Sequence, residues 1–244
     1  MFVEPYNAFV SASLEQRSTQ TKNAALKVFI LHDNEPWLGP FREAFARLGI
    51  EHEEWDLGQG GSFDLNSPPP EGIFFNRVSP SSHTRGARFS LEYATSVLEW
   101  LELYGRRIIN GPSALQMELS KARQQSRLEA HGIKTPRTVF VTGTGEARNE
   151  RLVAAARENF ADGGFLVKIN RGGSGSGVEL FNSVAELEMF LEAGMLEEAL
   201  DATYLVQEFI QAPDRTVTRC EFVGGKLVYG VRIDTSEGFH LCPA

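Results

Sequence analysis

Residues 165–181 read FLVKINRGGSGSGVELF, and their order decides the fold. The first five alternate in the manner of a half-buried strand, with Lys168 near its end. Glycines 172, 173, 175 and 177 then form a loop with few side chains, whose backbone N–H groups can turn together toward phosphate oxygens. VELF (178–181) alternates again, and the next helix-start signal is the Ser183/Glu186 capping box. Strand, glycine loop, strand is therefore the reading. A dinucleotide-binding or Walker loop leads directly into a helix, which this one does not. In protein kinases the lysine follows the glycine loop, whereas Lys168 precedes it, and no HRD or DFG sequence follows.

Working outward, 203–210 (TYLVQEFI), 216–223 (TVTRCEFV) and 226–233 (KLVYGVRI) read as strands, the last two joined as a hairpin by Gly224–Gly225. Upstream, a strand at 138–141 and a helix at 150–160 precede the lysine strand, and 112–132 (PSALQMELSKARQQSRLEAHG) reads as one helical stretch ended by Gly132. Before Gly111–Pro112 the pattern changes. Strands at 26–31 (LKVFIL), 72–75 (GIFF) and 106–110 (RRIIN) alternate with helices, the first carrying Phe41, Ala44, Phe45 and Leu48 on one face. The second carries Leu91, Ala94, Leu98, Leu101 and Tyr104, with Ser90 placed to cap its start and Gly105 its end. That alternation predicts a small parallel sheet covered by helices. The expected organisation is a poorly ordered lead-in over 1–25, a parallel α/β unit over 26–112 and a nucleotide-binding region over 113–244, giving an α/β chain, α+β overall.

Composition narrows the function. The 244 residues are 42% hydrophobic, enough for a real core, and no stretch approaches the roughly 18 uninterrupted apolar residues of a membrane-spanning helix. The opening residues lack the basic-then-apolar layout of a signal peptide, so cytoplasm is the expected location and a membrane partner is not expected. Cys220 and Cys242 match no zinc pattern, and both are expected to be reduced. A formal charge of −8 with scattered Lys and Arg argues against a nucleic-acid footprint but leaves room for a local anion pocket.

From about Asn110 to Arg232 the chain resembles the ATP-grasp family, and most closely its RimK-like branch, which joins glutamate or another amine to a carboxylate. NGPSALQMELSKARQQSRLEAHGIKTPRT resembles that branch's NS…DK…L…GIP.P.T signature. The resemblance implies that Lys121 and Lys168 contact the nucleotide and that the loop Gly172, Gly173, Ser174, Gly175, Ser176 and Gly177 covers its phosphates. It further implies that Gln207, Glu208, Phe209 and Ile210 form the strand that reads adenine by its backbone. The reaction would be phosphoryl transfer from ATP to a carboxylate of a small molecule or peptide, followed by attack of an amine. Arg219 and Arg232 would steady the acyl phosphate. Val217 stands where the family commonly has an aspartate, two residues before Arg219, with Asp214 as a substitute. The family's Mg²⁺ ligands lie after the region matched here, so they are expected beyond residue 244, in a longer protein.

Asn76, Arg77 and Ser79, in the loop NRVSPSSHTRG that also holds His83 and Arg85, sit where α/β sheets collect ligands and are candidates for the carboxylate site. Plainer readings stand beside these. Lys168 could be a strand-end lysine in solvent, Lys121 a solvated helix residue, 207–210 a core strand, and His32 and Asp33 ordinary loop residues. Rival functions are a non-catalytic nucleotide-binding module, an ATP-grasp kinase and, more distantly, a dehydrogenase. A homo-oligomer is compatible with all of them.

Overall fold

A computed structural model describes residues 27–173 and 175–236. The expected lead-in over 1–25, Leu26, Ser174 and Cys242 lie outside the described residues. Two four-stranded sheets and a hairpin make up the rest.

The first sheet is parallel throughout, in the order β2-β1-β3-β4, with β1 Val28–His32, β2 His52–Asp56, β3 Ile73–Asn76 and β4 Arg107–Ile109. Helix α1 (Gly39–Leu48) connects β1 to β2, and α2 (Ser90–Leu103) precedes β4. Because β2 lies on one side of β1 and β3 on the other, the chain reverses direction between β1 and β3, and the crevice outside their carboxyl ends is where such sheets bind ligands. Phe29, Leu31 and Phe74 pack with Leu91, Ala94, Leu98 and Leu101 of α2. Phe74 is fully buried and stacks on Phe29 with ring centroids 4.8 Å apart, a site worth about 3 kcal/mol to a complete aromatic side chain.

The second sheet is antiparallel, ordered β5-β8-β6-β7, with β5 Thr138–Thr142, β6 Phe165–Ile169, β7 Val178–Phe181 and β8 Thr203–Glu208. Helices α5 (Gly145–Phe160) and α6 (Val184–Glu192) supply Leu152, Ala156 and Leu187 to the core it shares with Phe165, Val167, Ile169, Tyr204 and Val206. Strand periodicity sends the intervening residues Leu166, Lys168, Leu205 and Gln207 to the opposite face. Between the sheets run two short helices, α3 (Pro112–Glu118) and α4 (Lys121–Ala130). The last two strands, β9 (Thr216–Val223) and β10 (Lys226–Asp234), form an antiparallel hairpin.

Four local expectations are corrected. Strand β2 (HEEWD) was not expected. It is a half-exposed edge strand whose charged residues hide its period. The stretch 112–130 is two helices, because Ser120 adopts extended angles and caps α4 with its side chain, accepting from Arg123 N at 3.2 Å. Ser90 lies inside α2, whose N-cap is Phe89, and its hydroxyl donates to Ala87 O instead. The helix expected from 150 begins at Gly145. The Ser183/Glu186 cap does form, although Glu186 reaches back to Asn182 N, one residue before the cap. No helix among the described residues is long and apolar enough to cross a membrane.

Candidate active site

The open face of the second sheet forms one wall of a cleft of about 270 Å³, and α4 with the 135–136 turn forms the other. Lys168 and Lys121 both line it, with Gln124, Gln125, Leu205 and Gln207. Lys168 is carried by β6 across from Leu205. Its Nζ donates to Gln207 Oε1 at 2.5 Å, and Gln207 is oriented in turn by donating from Nε2 to Thr138 Oγ1 at 2.7 Å. Burial, and secondarily the neighbouring Lys121 ammonium, pull the Lys168 pKa down to about 8. A cation held in that state gains from any anion that enters the cleft.

Lys121 is employed differently. Its Nζ donates to the carbonyls of Ile169 (2.9 Å), Asn170 (3.3 Å) and Gly172 (3.3 Å), so it clasps the root of the glycine loop. Burial lowers its pKa against the opposing pull of Asp201 and Glu197. Asn170 completes the joint. Its Oδ1 accepts from Ser120 Oγ and Ala122 N, and its Nδ2 donates to Asp201 Oδ2 at 2.6 Å, so one buried amide fixes the start of α4 to the end of β6. Asn170 was not singled out from sequence, where an asparagine after a strand reads as a turn residue.

The loop after it depends on glycine at Gly177, where φ is +62° and an added Cβ would lie 2.9 Å from the Ile169 side chain. Ser176 N donates to Gly173 O, and Ser176 Oγ donates to Glu197 Oε2 at 3.1 Å. Gly173 rests against Pro80 and Ser81 of the first sheet's loop. Arg171 pairs with Glu92 of α2 at 2.7 Å. The glycine loop thus touches both halves of the molecule. In the hinge, Glu208 N donates to Arg137 O and Phe209 N to Gly164 O, while Ile210 N–H has no hydrogen-bond partner among the described residues. Ile210 itself is 61% exposed.

At the carboxyl ends of β1, β3 and β4 a smaller hollow of about 170 Å³ is lined by Trp37, Asn76, Arg77, Ser79, Asn110 and Glu118, among others. The three residues expected from sequence, Asn76, Arg77 and Ser79, therefore come together. Asn76 and Asn110 exchange side chain-to-carbonyl hydrogen bonds of 3.0 and 3.3 Å, tying the ends of β3 and β4. Asp33 accepts from Ser79 N at 3.3 Å and pairs with Arg85 at 2.8 Å, which pins the loop to β1. Burial raises the Asp33 pKa and Arg85 opposes that rise. His83 keeps both ring nitrogens buried without a partner among the described residues, as does His32 its Nδ1.

The two arginines of the hairpin do not converge. The register opens at Leu227 opposite Phe222 and shifts by one residue before Tyr229 opposite Glu221, a β-bulge. Beyond it Arg219 lies opposite Val231 and Arg232 opposite Thr218, which puts the two arginines on opposite faces. Arg219 pairs with Glu221 at 2.6 Å, and Arg232 with Asp214. The two arginines, both exposed, thus leave the hairpin from different faces. Asp214 pairs with Arg232 and accepts from Thr216 N. Among the described residues no group of three or more His, Cys, Asp or Glu side chains is placed to hold a metal ion.

No family model matches the chain. A probable alpha-L-glutamate ligase of Xanthomonas euvesicatoria pv. vesicatoria (strain 85-10) is 32% identical over 146 residues, covering 60% of this chain and 46% of that protein. The chain spans about half the length of the curated relatives it matches. Among solved structures, a RimK domain ATP-grasp protein from Sphaerobacter thermophilus DSM 20745 aligns over 89% of this chain and 76% of its own, with a TM-score of 0.63 and 17% identity. D-alanyl-alanine synthetase A from Vibrio cholerae O1 aligns over 86% and 66%, with a TM-score of 0.57 and 15% identity. At these identities the structural likeness speaks for the fold.

Proposed function

We propose that this chain, a member of the RimK-like branch of the ATP-grasp superfamily, forms the nucleotide-binding part of an ATP-dependent carboxylate–amine ligase. One observation carries the reading. The Lys168 ammonium is half-buried on an open sheet face, beside a glycine loop and in the same cleft as the hinge-side Gln207. Desolvated cations next to bare backbone amides favour a polyphosphate over any neutral occupant.

In this assignment the adenine lies against the hinge, where the Ile210 N–H is a donor without a partner among the described residues and the carbonyls of 208–210 are acceptors. Lys168 meets the phosphates, the 172–177 loop covers them, and Lys121 holds that loop by its root. A carboxylate bound by the 76–79 loop, which adjoins the glycine loop through Ser81 and Gly173, attacks the γ-phosphorus. The β,γ-bridging P–O bond breaks and ADP leaves. The amine nitrogen then attacks the acyl carbon, the C–O bond to phosphate breaks, and the amine loses a proton. Activation divides one difficult displacement into two easier ones. Magnesium would neutralise charge on the phosphates; among the described residues no cluster of three or more His, Cys, Asp or Glu is placed to hold it, and no step here is assigned to it. Arg219 and Arg232, which leave the hairpin from opposite faces, are the candidates to steady the acyl phosphate.

Calorimetric titration with ATP tests the nucleotide site. Binding that is lost in Lys168→Ala supports it, and equal affinity in the two chains removes Lys168 from the site. For the reaction, ADP release that requires both a carboxylate and an amine supports the ligase, whereas ADP release with no amine requirement supports a kinase.

A further inference from the structure

An aromatic groove lies between α2 and the strap 57–70, apart from both the nucleotide cleft and the hollow. The strap follows β2, passes over α2 and leads into β3. Trp100 Nε1 pins it to the helix by donating to Ser67 O at 2.9 Å, and the Tyr104 hydroxyl does so by donating to Leu65 O at 3.0 Å. Phe63 of the strap stacks on Trp100 with ring centroids 4.7 Å apart. Phe63, Tyr93 and Trp100 are common to two adjoining cavities. One, of about 550 Å³, is bordered by the exposed side chains of Leu65 and Leu103. The other, of about 490 Å³, is bordered by Trp55, Leu57 and Val97. Each is large enough for a small ligand or a few residues of peptide.

The lining narrows the choice of guest. Its charged members are Asp56, Asp64 and Glu99, with no Lys, Arg or His, so a nucleotide, a phosphate or an anionic membrane surface meets like charge there. The rings favour an apolar, aromatic guest, and the Tyr93 hydroxyl, without a hydrogen-bond partner among the described residues, is available to a peptide backbone. The chain itself carries such a guest. Residues 2–10 read FVEPYNAFV, with aromatic rings at Phe2, Tyr6 and Phe9, whereas residues 11–26 contain none. The point of attachment is close as well. Ile73 N donates to Lys27 O at 3.0 Å, and Pro70, three residues before Ile73, lines the groove. Those three residues span no more than about 11 Å, while residues 11–26 reach about 50 Å when extended.

We infer that the groove between α2 and the 57–70 strap is the seat of residues 2–10 of the same chain, held there by their aromatic side chains. Tethering presents the segment at an effective concentration of about millimolar order, so individually weak contacts suffice. The seat is independent of the nucleotide reading, since none of its residues lines the nucleotide cleft.

Tryptophan fluorescence of the full chain tests this, because Trp55 and Trp100 both line the groove. A triple variant, Phe2→Ser with Tyr6→Ser and Phe9→Ser, removes the rings of the segment and leaves the seat open. A synthetic peptide of residues 1–12, which contains no tryptophan, is then titrated in. The triple variant should bind it with a change in tryptophan emission, and the unaltered chain, whose own segment competes, should bind it at least about tenfold more weakly. Ser96→Arg, at an exposed position of α2 that lines the groove, should weaken peptide binding to the triple variant at least about tenfold. Circular dichroism and melting verify that each variant is folded, and Ser62→Arg on the strap serves if Ser96→Arg is not. No peptide binding at millimolar concentration, equal binding by the triple variant and the unaltered chain, or equal binding with and without the introduced arginine overturns the inference. Sedimentation supplies the last outcome. An unaltered chain that is dimeric, with a monomeric triple variant, overturns the seat within one chain and assigns the groove to a second copy.

Discussion

The two sheets hold their candidate chemistry in different places. In the parallel sheet the central strand β1 is buried almost throughout, and the residues that line the hollow, from Asn76 to Glu118, lie at a strand end, on a loop or on a short helix. In the antiparallel sheet helices cover one face, and the other face itself is the site, with Lys168 and Gln207 standing on adjacent strands. Loop-borne groups need staples such as the Asp33–Arg85 pair. Strand-borne groups are positioned by the ladder, and the cost appears elsewhere, as a desolvated lysine.

That contrast can be broken experimentally. The largest effect is expected for Asp33→Ala, which removes the acceptor of Ser79 N and leaves Arg85 unpaired in the loop. Urea unfolding should register a loss of about 3 kcal/mol, and a loss under half of that would mean the loop is held by packing. Lys168→Met should do the reverse. ATP affinity falls by about 2 kcal/mol or more, while the urea midpoint is unchanged or higher, because a partly desolvated charge has been removed from the fold. A parallel drop in stability would make Lys168 a structural residue like Lys121.

Gly177→Ala is next in size. The left-handed backbone and the 2.9 Å approach to Ile169 predict a cost of about 1–2 kcal/mol, seen as weaker nucleotide binding more than as a lower melting point. The smallest effect is the pH dependence. The folded-state pKa of Lys168 lies below its ordinary value of 10.5, at about 8, so the unfolded chain binds more protons between those values and stability should rise with pH across that window. Nucleotide affinity should move the other way, declining as pH climbs past about 8, by no more than tenfold per pH unit. Calorimetry in buffers of different ionisation enthalpy should reveal proton uptake on binding near pH 8.

Much of this was readable in advance, and what was not has physical reasons. Lys168 and the glycine loop are contiguous in sequence, and strand alternation sets the face that Lys168 shares with Gln207 of the hinge strand. The expected loop residues Asn76, Arg77 and Ser79 follow from the parallel-sheet rule about strand ends. That Glu118 lines the same hollow as Arg77 could not be foreseen, because the two are brought together only by the packing of a helix against a distant sheet. Strand β2 escaped because an edge strand carries charges on its outer positions. Without a bulge, a two-residue Gly224–Gly225 turn would set Arg219 and Arg232 on a common face; one extra residue near Val228 parts them. The break at Ser120 did leave a trace, a serine directly ahead of a run of good helix formers, which the apolar spacing across it concealed.

That break has a consequence of scale. Glu118 and Lys121 stand on either side of it, one turned to the small hollow and the other to the cleft. Three residues of chain separate their α-carbons by no more than about 11 Å even when fully stretched. Whatever sits in the two compartments is therefore within molecular reach of its neighbour, and a single inserted residue at Ser120 would alter that spacing in a way no side-chain rotation could undo.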